Sequence, residues 1–174
     1  VWGGGLGRNE TWEWDGNTWN EGIPEGARPL GRSYHALTYD VARNVTVLFG
    51  GGDAQNKVLN DIWAWDGTTW TEMVPEGASP PERAGHALSY DVARGVTVLF
   101  GGVDGSAKLN DTWEWDGSSW TEVIPEGGSP PKCWMHALSY DMARGVTVLF
   151  GGDGGLGGLN DTWEWGGTSW TEVI

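Results

Sequence analysis

Val96-Thr97-Val98-Leu99-Phe100-Gly101-Gly102 and, one loop later, Asn110-Asp111-Thr112-Trp113-Glu114-Trp115-Asp116-Gly117 decide how this chain folds. The first run is β-branched and aromatic and stops at a double glycine, the mark of a strand that ends in a close backbone approach. In the second run Trp113 and Trp115 lie two residues apart, so both leave the same face of a strand. Asp116-Gly117 then turns the chain into a further strand beginning near Trp120. Loops of two and of four residues both fit this spacing, and four would set Trp115 opposite Trp120 as a cross-strand aromatic pair. Upstream, His86-Ala87-Leu88-Ser89-Tyr90 reads as a strand joined to Val96–Phe100 by the turn Asp91-Val92-Ala93-Arg94-Gly95. The whole pattern recurs. Leu-Phe-Gly-Gly begins at Leu48, Leu99 and Leu149, His-Ala-Leu at His35, His86 and His136, and Asn-Asp-x-Trp-x-Trp at Asn60, Asn110 and Asn160. Asn9-Glu10-Thr11-Trp12-Glu13-Trp14 is a near copy at the start. At the Gly95 position the other copies carry Asn44 and Gly145, the residue types that most readily accept positive φ, which predicts a left-handed turn residue.

A period of about 50 residues makes the chain an array of four-stranded units. Residues 24–74, 75–124 and 125–174 read as three full units, and residues 1–23 as the end of a second strand followed by a third and a fourth. Connections such as Pro75-Glu76-Gly77-Ala78-Ser79-Pro80-Pro81 are too rich in proline for a ladder and predict exposed extended loops. Twelve of the 14 Trp belong to the pattern, and only Trp2, in the slot of Phe49, and Trp134 stand outside it.

Composition narrows the function. With 24 acidic and 10 basic side chains the formal charge is -14, which excludes a nucleic-acid binder that must neutralise phosphates with a basic surface. No apolar run approaches the roughly 18 residues needed to span a bilayer, so membrane insertion is not expected. The single Cys rules out an internal disulfide framework and a four-Cys zinc site.

A four-stranded unit with a double glycine after its second strand, Asn-Asp-x-Trp opening its third, Trp in its fourth and Arg-x-x-His at Arg32–His35 and Arg83–His86 resembles the kelch repeat of β-propellers. The resemblance covers essentially the whole chain. It implies an all-β propeller of four-stranded blades, three full and one partial, with Trp filling the wedges between blades. Propellers typically need about four blades to close, so the expectation is completion by further blades of the same protein or by other chains. The phrase Asp-x-Trp-Glu-Trp-Asp-Gly with Pro-Pro linkers is similar to bacterial extracellular kelch arrays and implies an extracellular or cell-surface location.

Unit-to-unit differences separate scaffold from site. They cluster where the chain enters the first strand, Glu82-Arg83-Ala84-Gly85 against Lys132-Cys133-Trp134-Met135, and in the loop after the double glycine, which carries Gln55, Asn56 and Lys57, then Lys108, then a glycine-rich run. In a four-stranded meander both places lie at the same end of the sheet, so they converge on one face, the usual layout of a binding surface. Tyr34, Gln55, Asn56, Lys57, Arg83, Lys108, Lys132, Trp134 and Met135 are the candidate binding residues. Trp134 reads either as a ligand anchor or as a plug of the central opening.

A noncatalytic module for a protein or carbohydrate partner, or for extracellular assembly, is the expected function. The alternative is a propeller enzyme, a metal-dependent oxidase or glycan-active, with catalytic residues mostly outside this segment. Some kelch-type oxidases use copper with Tyr and a cross-linked Cys. Here Cys133 fills the slot of Arg32 and Arg83, and Tyr39, Tyr90 and Tyr140 are repeat residues, so no catalytic set is assigned. His35, His86 and His136 recur once per unit, as structural side chains do, although a shared metal on the axis is the competing reading. No cofactor is expected. Asp53, Asp104 and Asp153 in glycine-rich surroundings offer oxygen ligands to calcium, against the simpler reading as solvated turn residues.

Overall fold

A computed structural model describes residues 2–3 and 8–173, and side chains from residue 8 onward. The described residues form antiparallel sheets and no helix. A partial sheet holds β1 (Trp2–Gly3), β2 (Thr11–Trp14) and β3 (Trp19–Gly22). The second sheet holds β4 (Arg32–Ser33), β5 (Ala36–Asp40), β6 (Val45–Asp53), β7 (Val58–Trp65) and β8 (Trp70–Met73), with β4 and β5 both paired to β6. The third runs β9 (Ala87–Asp91), β10 (Val96–Val103), β11 (Lys108–Trp115), β12 (Trp120–Val123), and the fourth β13 (Ala137–Asp141), β14 (Val146–Phe150), β15 (Thr162–Trp165), β16 (Trp170–Val173). These are the blades of a β-propeller, and in this chain the ring of sheets is not closed. Strands β5, β9 and β13 pack side by side as the inner strands. They border an axial space of about 370 Å3 lined by Leu37, Tyr39, Leu88, Tyr90, Leu138 and Tyr140, among others.

The hairpin loop has four residues, since Trp115 pairs with Trp120, as Trp14 does with Trp19, Trp65 with Trp70 and Trp165 with Trp170. In three of these loops an Asp closes the turn. Asp116 Oδ1, for example, accepts the backbone N–H groups of Ser118 and Ser119, each at 2.8 Å, an Asx-type turn. Asn44, Gly95 and Gly145 are left-handed, with φ of 57°, 71° and 71°, as their substitution pattern predicts. Strands β7 and β11 begin earlier than the sequence pattern suggests. After a register shift at the double glycine the ladder resumes, with Gly102 paired to Leu109 and Val103 to Lys108. The proline-rich connection is not wholly free of pairing, because Glu76 forms an isolated parallel bridge to Ser119.

The double glycine works because each member meets a different backbone. A Cβ on Gly50 would lie 2.7 Å from Arg83 O of the following sheet, and one on Gly51 2.7 Å from Ser33 O of its own. Gly101 and Gly102 repeat this with Cys133 O at 2.8 Å and Ala84 O at 2.9 Å. Backbone bonds then lock the sheets, Gly51 N–H donating to Arg83 O at 2.8 Å and Arg83 N–H to Leu59 O at 3.0 Å.

Apolar side chains fill the wedges. Val47, Phe49 and Ile62 meet Leu99, Trp113, Trp115 and Trp120 in one, and Val98 and Phe100 meet Leu149, Trp165 and Trp170 in the next. At roughly 25 cal/mol per Å2 of apolar surface buried, each indole is worth several kcal/mol before entropy. The indole N–H groups make the wedges specific. Trp70 Nε1 donates to Thr11 Oγ1 at 2.8 Å and Trp170 Nε1 to Thr112 Oγ1 at 2.9 Å, while Trp65 and Trp165 donate to Glu13 and Glu114 at 2.7 and 3.0 Å. The expectation that repeat Trp are buried holds for the inner wedges. Trp14 and Trp19 differ, at 52% and 53% exposed, because among the described residues no sheet covers their side of β2 and β3.

Candidate binding site

The segments entering the inner strands meet at one end of the axial space. Tyr34, Gly85 and Met135, each immediately before a repeat His, are all left-handed, with φ of 58°, 63° and 55°. Their backbones form a chain around the axis: Gly85 N–H donates to Tyr34 O at 2.8 Å and Met135 N–H to Gly85 O at 2.7 Å. Gly85 has no side chain, and Trp134 uses the room, its Cε3 lying 2.9 Å from where a Gly85 Cβ would be. The indole thereby reaches Tyr34, with ring centroids 6.2 Å apart and a 50° tilt. Tyr34 and Met135 are exposed and Trp134 is half-buried. Three bulky side chains from two sheets thus share one mouth, and Trp134 neither fills the channel nor stands free of it.

The loops after the second strands adjoin this patch. Lys108 Nζ donates to Asp153 Oδ1 across two sheets at 2.8 Å, and with the Gly155 N–H and the nearby Trp134 indole it holds the Asp153 carboxyl below the usual carboxylate range. Trp134 Nε1 itself makes no hydrogen bond of ordinary geometry. Gln55, Asn56 and Lys57 are exposed on the β6–β7 loop, and Lys132 is exposed on the connection before β13. Of the two variable segments, the structure brings Lys108, Trp134 and Asp153 together, with Tyr34 beside Trp134. The Lys108–Asp153 bridge left no signal in the sequence. The Tyr34–Trp134 contact left one, a glycine at position 85 opposite a tryptophan one repeat on.

Arg83 does not belong to the surface. Its side chain is fully buried, with Nη1 and Nη2 on Asp111 at 2.7 and 2.6 Å and Nη1 on Gly101 O at 2.9 Å. Arg32 does the same with Asp61 and Gly50 O. These guanidiniums brace the second strand to the third inside one sheet, and a buried bidentate pair leaves no donor for a ligand.

His86 and His136 stand edge-on to Phe49 and Phe100 of the preceding sheet at 5.5 and 5.4 Å. Burial pushes His35 and His136 down to about 4, in His35 with help from the Arg32 charge, and His86 falls well below the ordinary value for the same reason. Cys133 is buried with its thiol pushed up to about 11 by burial and by the Asp161 charge, which disfavours the reactive thiolate. Asp53 and Asp104 turn an Oδ1 onto backbone N–H groups of their own loops, those of Gln55 and Lys57 and of Ser106 and Ala107. Asp153 accepts from Gly155 and Lys108. The three carboxylates staple loops on separate sheets, and among the described residues no cluster of His, Cys, Asp or Glu has metal-site geometry.

Four-stranded sheets arrayed about an axis, interlocked by a double glycine and presenting variable loops at one end, define a propeller-type repeat protein. The chain belongs to the KLHDC2/KLHL20/DRC7 Kelch-repeats domain family, whose model matches residues 1–173. It is similar to Dynein regulatory complex subunit 7 of Chlamydomonas reinhardtii, 38% identical over 86 residues, which is 48% of this chain and 7% of that protein. Kelch domain-containing protein 2 of Bos taurus is 34% identical over 95 residues, 53% of this chain and 21% of the relative. Acyl-CoA-binding domain-containing protein 4 of Arabidopsis thaliana is 33% identical over 87 residues, 49% and 13%. The chain therefore matches a small part of each relative's length.

Proposed function

We propose that this chain is a noncatalytic protein-binding kelch module that uses the mouth built by Tyr34, Trp134, Met135 and Lys108. One observation carries the reading. Exposed Tyr34 and Met135 stand where the repeat otherwise places Gly85, with the half-buried Trp134 packed beside Tyr34, on sheets locked together by backbone hydrogen bonds. Exposed aromatic and Met side chains on a rigid frame are the usual anchors of a protein partner. The relatives point the same way, since one is by name a subunit of a complex. Residues 1–23, 24–74, 75–124 and 125–174 serve in this reading as a partial blade and three full blades of one larger propeller. The bacterial, extracellular character and cell-surface assembly rest on the Trp-Glu-Trp-Asp-Gly and Pro-Pro phrasing alone, and secretion assays on the source cell test them.

The test is affinity capture with the chain and two variants, Trp134→Ala at the mouth and Arg144→Ala at the opposite end. A partner identified by mass spectrometry is purified and its binding measured by calorimetry. Loss of binding in Trp134→Ala at an unchanged melting temperature, with Arg144→Ala binding normally, is the expected result. Equal binding by both variants overturns the proposal, and retention of an oligosaccharide in place of a protein on the same face replaces it with glycan recognition.

A further inference from the structure

The Arg32 and Arg83 guanidiniums lie in a cradle that the fourth sheet repeats without its occupant. In the second sheet Arg32 Nη1 and Nη2 donate to Asp61 at 2.5 and 2.7 Å, and Nη1 donates to Gly50 O at 3.0 Å. Arg83 does the same in the third sheet with Asp111 and Gly101 O. The fourth sheet keeps Asp161 and Gly151 at the matching positions, but Cys133 stands in the slot of the arginine. Its Sγ corresponds to the arginine Cγ. The atoms left out are Cδ, Nε, Cζ, Nη1 and Nη2, which together make a methylguanidinium ion.

The acceptors are set for that occupant. Trp163 Nε1 donates to Asp161 Oδ2 at 2.7 Å, as Trp63 and Trp113 donate to Oδ2 of Asp61 and Asp111 at 2.7 Å, so the indoles hold all three carboxylates alike. Oδ1, the oxygen that takes Nη1 in the filled cradles, is buried on Asp161 without a hydrogen-bond partner. A buried carboxylate oxygen in that state favours a charged donor. Its neighbours supply none. Lys108 is committed to Asp153 at 2.8 Å, and His136, 7% exposed, turns Nδ1 to Cys133 Sγ at 3.5 Å. No three metal-ligating side chains converge among the described residues, whereas a carboxylate beside a backbone carbonyl suits a planar guanidinium fork.

The ladder beside the cradle is open as well. Past the double glycine β6 and β7 pair at Gly51–Leu59 and Gly52–Val58, and β10 and β11 at Gly102–Leu109 and Val103–Lys108. The β14–β15 ladder stops at Phe150–Thr162, and a connection containing Gly154, Gly155, Gly157 and Gly158 takes its place. The cradle lies within one sheet. That of the third sheet holds Arg83 with the fourth sheet packed alongside, so an adjoining sheet does not occupy it.

We infer that the cradle formed by Cys133, Asp161 and Gly151 O is a binding site for a guanidinium group, carried by a free small molecule or by an arginine side chain of another protein. One nitrogen donates to Asp161 Oδ1 and Gly151 O and the other to Oδ2, the set that Arg83 makes within its own sheet. The site is separate from the aromatic mouth, and its test does not involve the partner proposed there.

The indole N–H resonances of the 15N-labelled chain provide the test, with Trp163→Phe identifying the Trp163 signal. Methylguanidinium is titrated to about 20 mM, where its effect as a denaturant is small because stability falls only linearly with concentration. The Trp163 signal is expected to shift and saturate, while those of Trp63 and Trp113, whose carboxylates are filled by Arg32 and Arg83, stay in place. Tetramethylammonium, a cation without donors, should bind at least tenfold more weakly. Cys133→Arg fills the cradle and should abolish the shift. The tripeptide glycyl-arginyl-glycine separates the two sources: saturation by it extends the site to arginine side chains, and saturation by methylguanidinium alone restricts it to free compounds, each supporting the inference. A Trp163 signal that does not move or does not saturate overturns it, as does an equal response to tetramethylammonium or a shift retained in Cys133→Arg. Should that variant fail to fold, the wild type decides, because equal shifts at Trp63, Trp113 and Trp163 also overturn the site.

Discussion

Cys133 stands beside Asp161 where, one repeat earlier, Arg83 stands beside Asp111, and the ion pair is lost with the guanidinium. Asp161 keeps the Trp163 indole on Oδ2 at 2.7 Å, but its Oδ1 is buried without a partner. A buried acceptor left unpaired costs about 1–3 kcal/mol. Cys133→Arg is expected to restore the brace and raise the melting temperature by several degrees, at about 2–4 °C per kcal/mol for a chain of this size. Arg83→Cys should lower stability by about 3–5 kcal/mol by stranding the Asp111 carboxylate. Thermal unfolding of both variants checks the pair, and destabilisation by Cys133→Arg counts against the account.

The double glycine separates backbone strain from collision. Gly50, Gly101 and Gly151 share φ values of 61°, 60° and 66°, so alanine carries the left-handed cost of about 1–2 kcal/mol at each. At Gly50 and Gly101 the new Cβ also meets the backbone of the next sheet at 2.7 and 2.8 Å, whereas at Gly151 it meets only Leu159 O at 3.2 Å. Chemical denaturation should show Gly151→Ala as mildly destabilised, with Gly50→Ala and Gly101→Ala losing at least twice as much. Equal losses would place the whole effect in φ.

The Trp–Thr bonds between sheets are testable by isosteric change. Thr112→Val keeps the shape of a fully buried side chain and leaves Trp170 Nε1 without an acceptor, for an expected loss of about 1–3 kcal/mol. Ile62→Thr runs the other way, because Trp120 Nε1 is buried without a partner opposite Ile62. The gained bond offsets most of the lost apolar burial, so that variant should fall within about 1 kcal/mol of wild type, against about 2–5 for Ile62→Ala. Denaturant midpoints of the three variants decide.

Stability should fall on mild acidification because of the histidines. His35 and His136 sit at about 4 in the fold against an ordinary 6.5, and His86 lies well below 6.5. Between pH 6.5 and about 4 the unfolded chain binds more protons than the folded one, so stability is fully present above 6.5 and drains as pH falls toward 4. Each His contributes a slope of up to about 1.4 kcal/mol per pH unit. Urea titrations at pH 7.5, 6 and 5 should show the decline, and His136→Gln should flatten it. A pH-independent midpoint across that window would falsify the assignment.

The sequence alone determined the repeat, the strands and the turn chemistry. A period of two puts Trp113 and Trp115 on one face whatever surrounds them, and Asn44, Gly95 and Gly145 announce positive φ because steric exclusion at Cβ is local. It also determined that the variable segments share an end, since meander topology leaves no other arrangement. Tertiary structure alone decided what those segments are for. Arg83 and Lys108 look alike as basic residues in variable segments, yet one is a buried brace on Asp111 and the other spans two sheets to Asp153. His86 was legible as a repeat residue, but not as the edge-on neighbour of a Phe one sheet away. Trp14 and Trp65 are equivalent in sequence, and only the packing of sheets leaves one half-exposed and buries the other. Strand formation depends on neighbours along the chain, whereas burial and pairing depend on which sheet lies alongside, and residues some 50 positions apart carry no local mark of that contact.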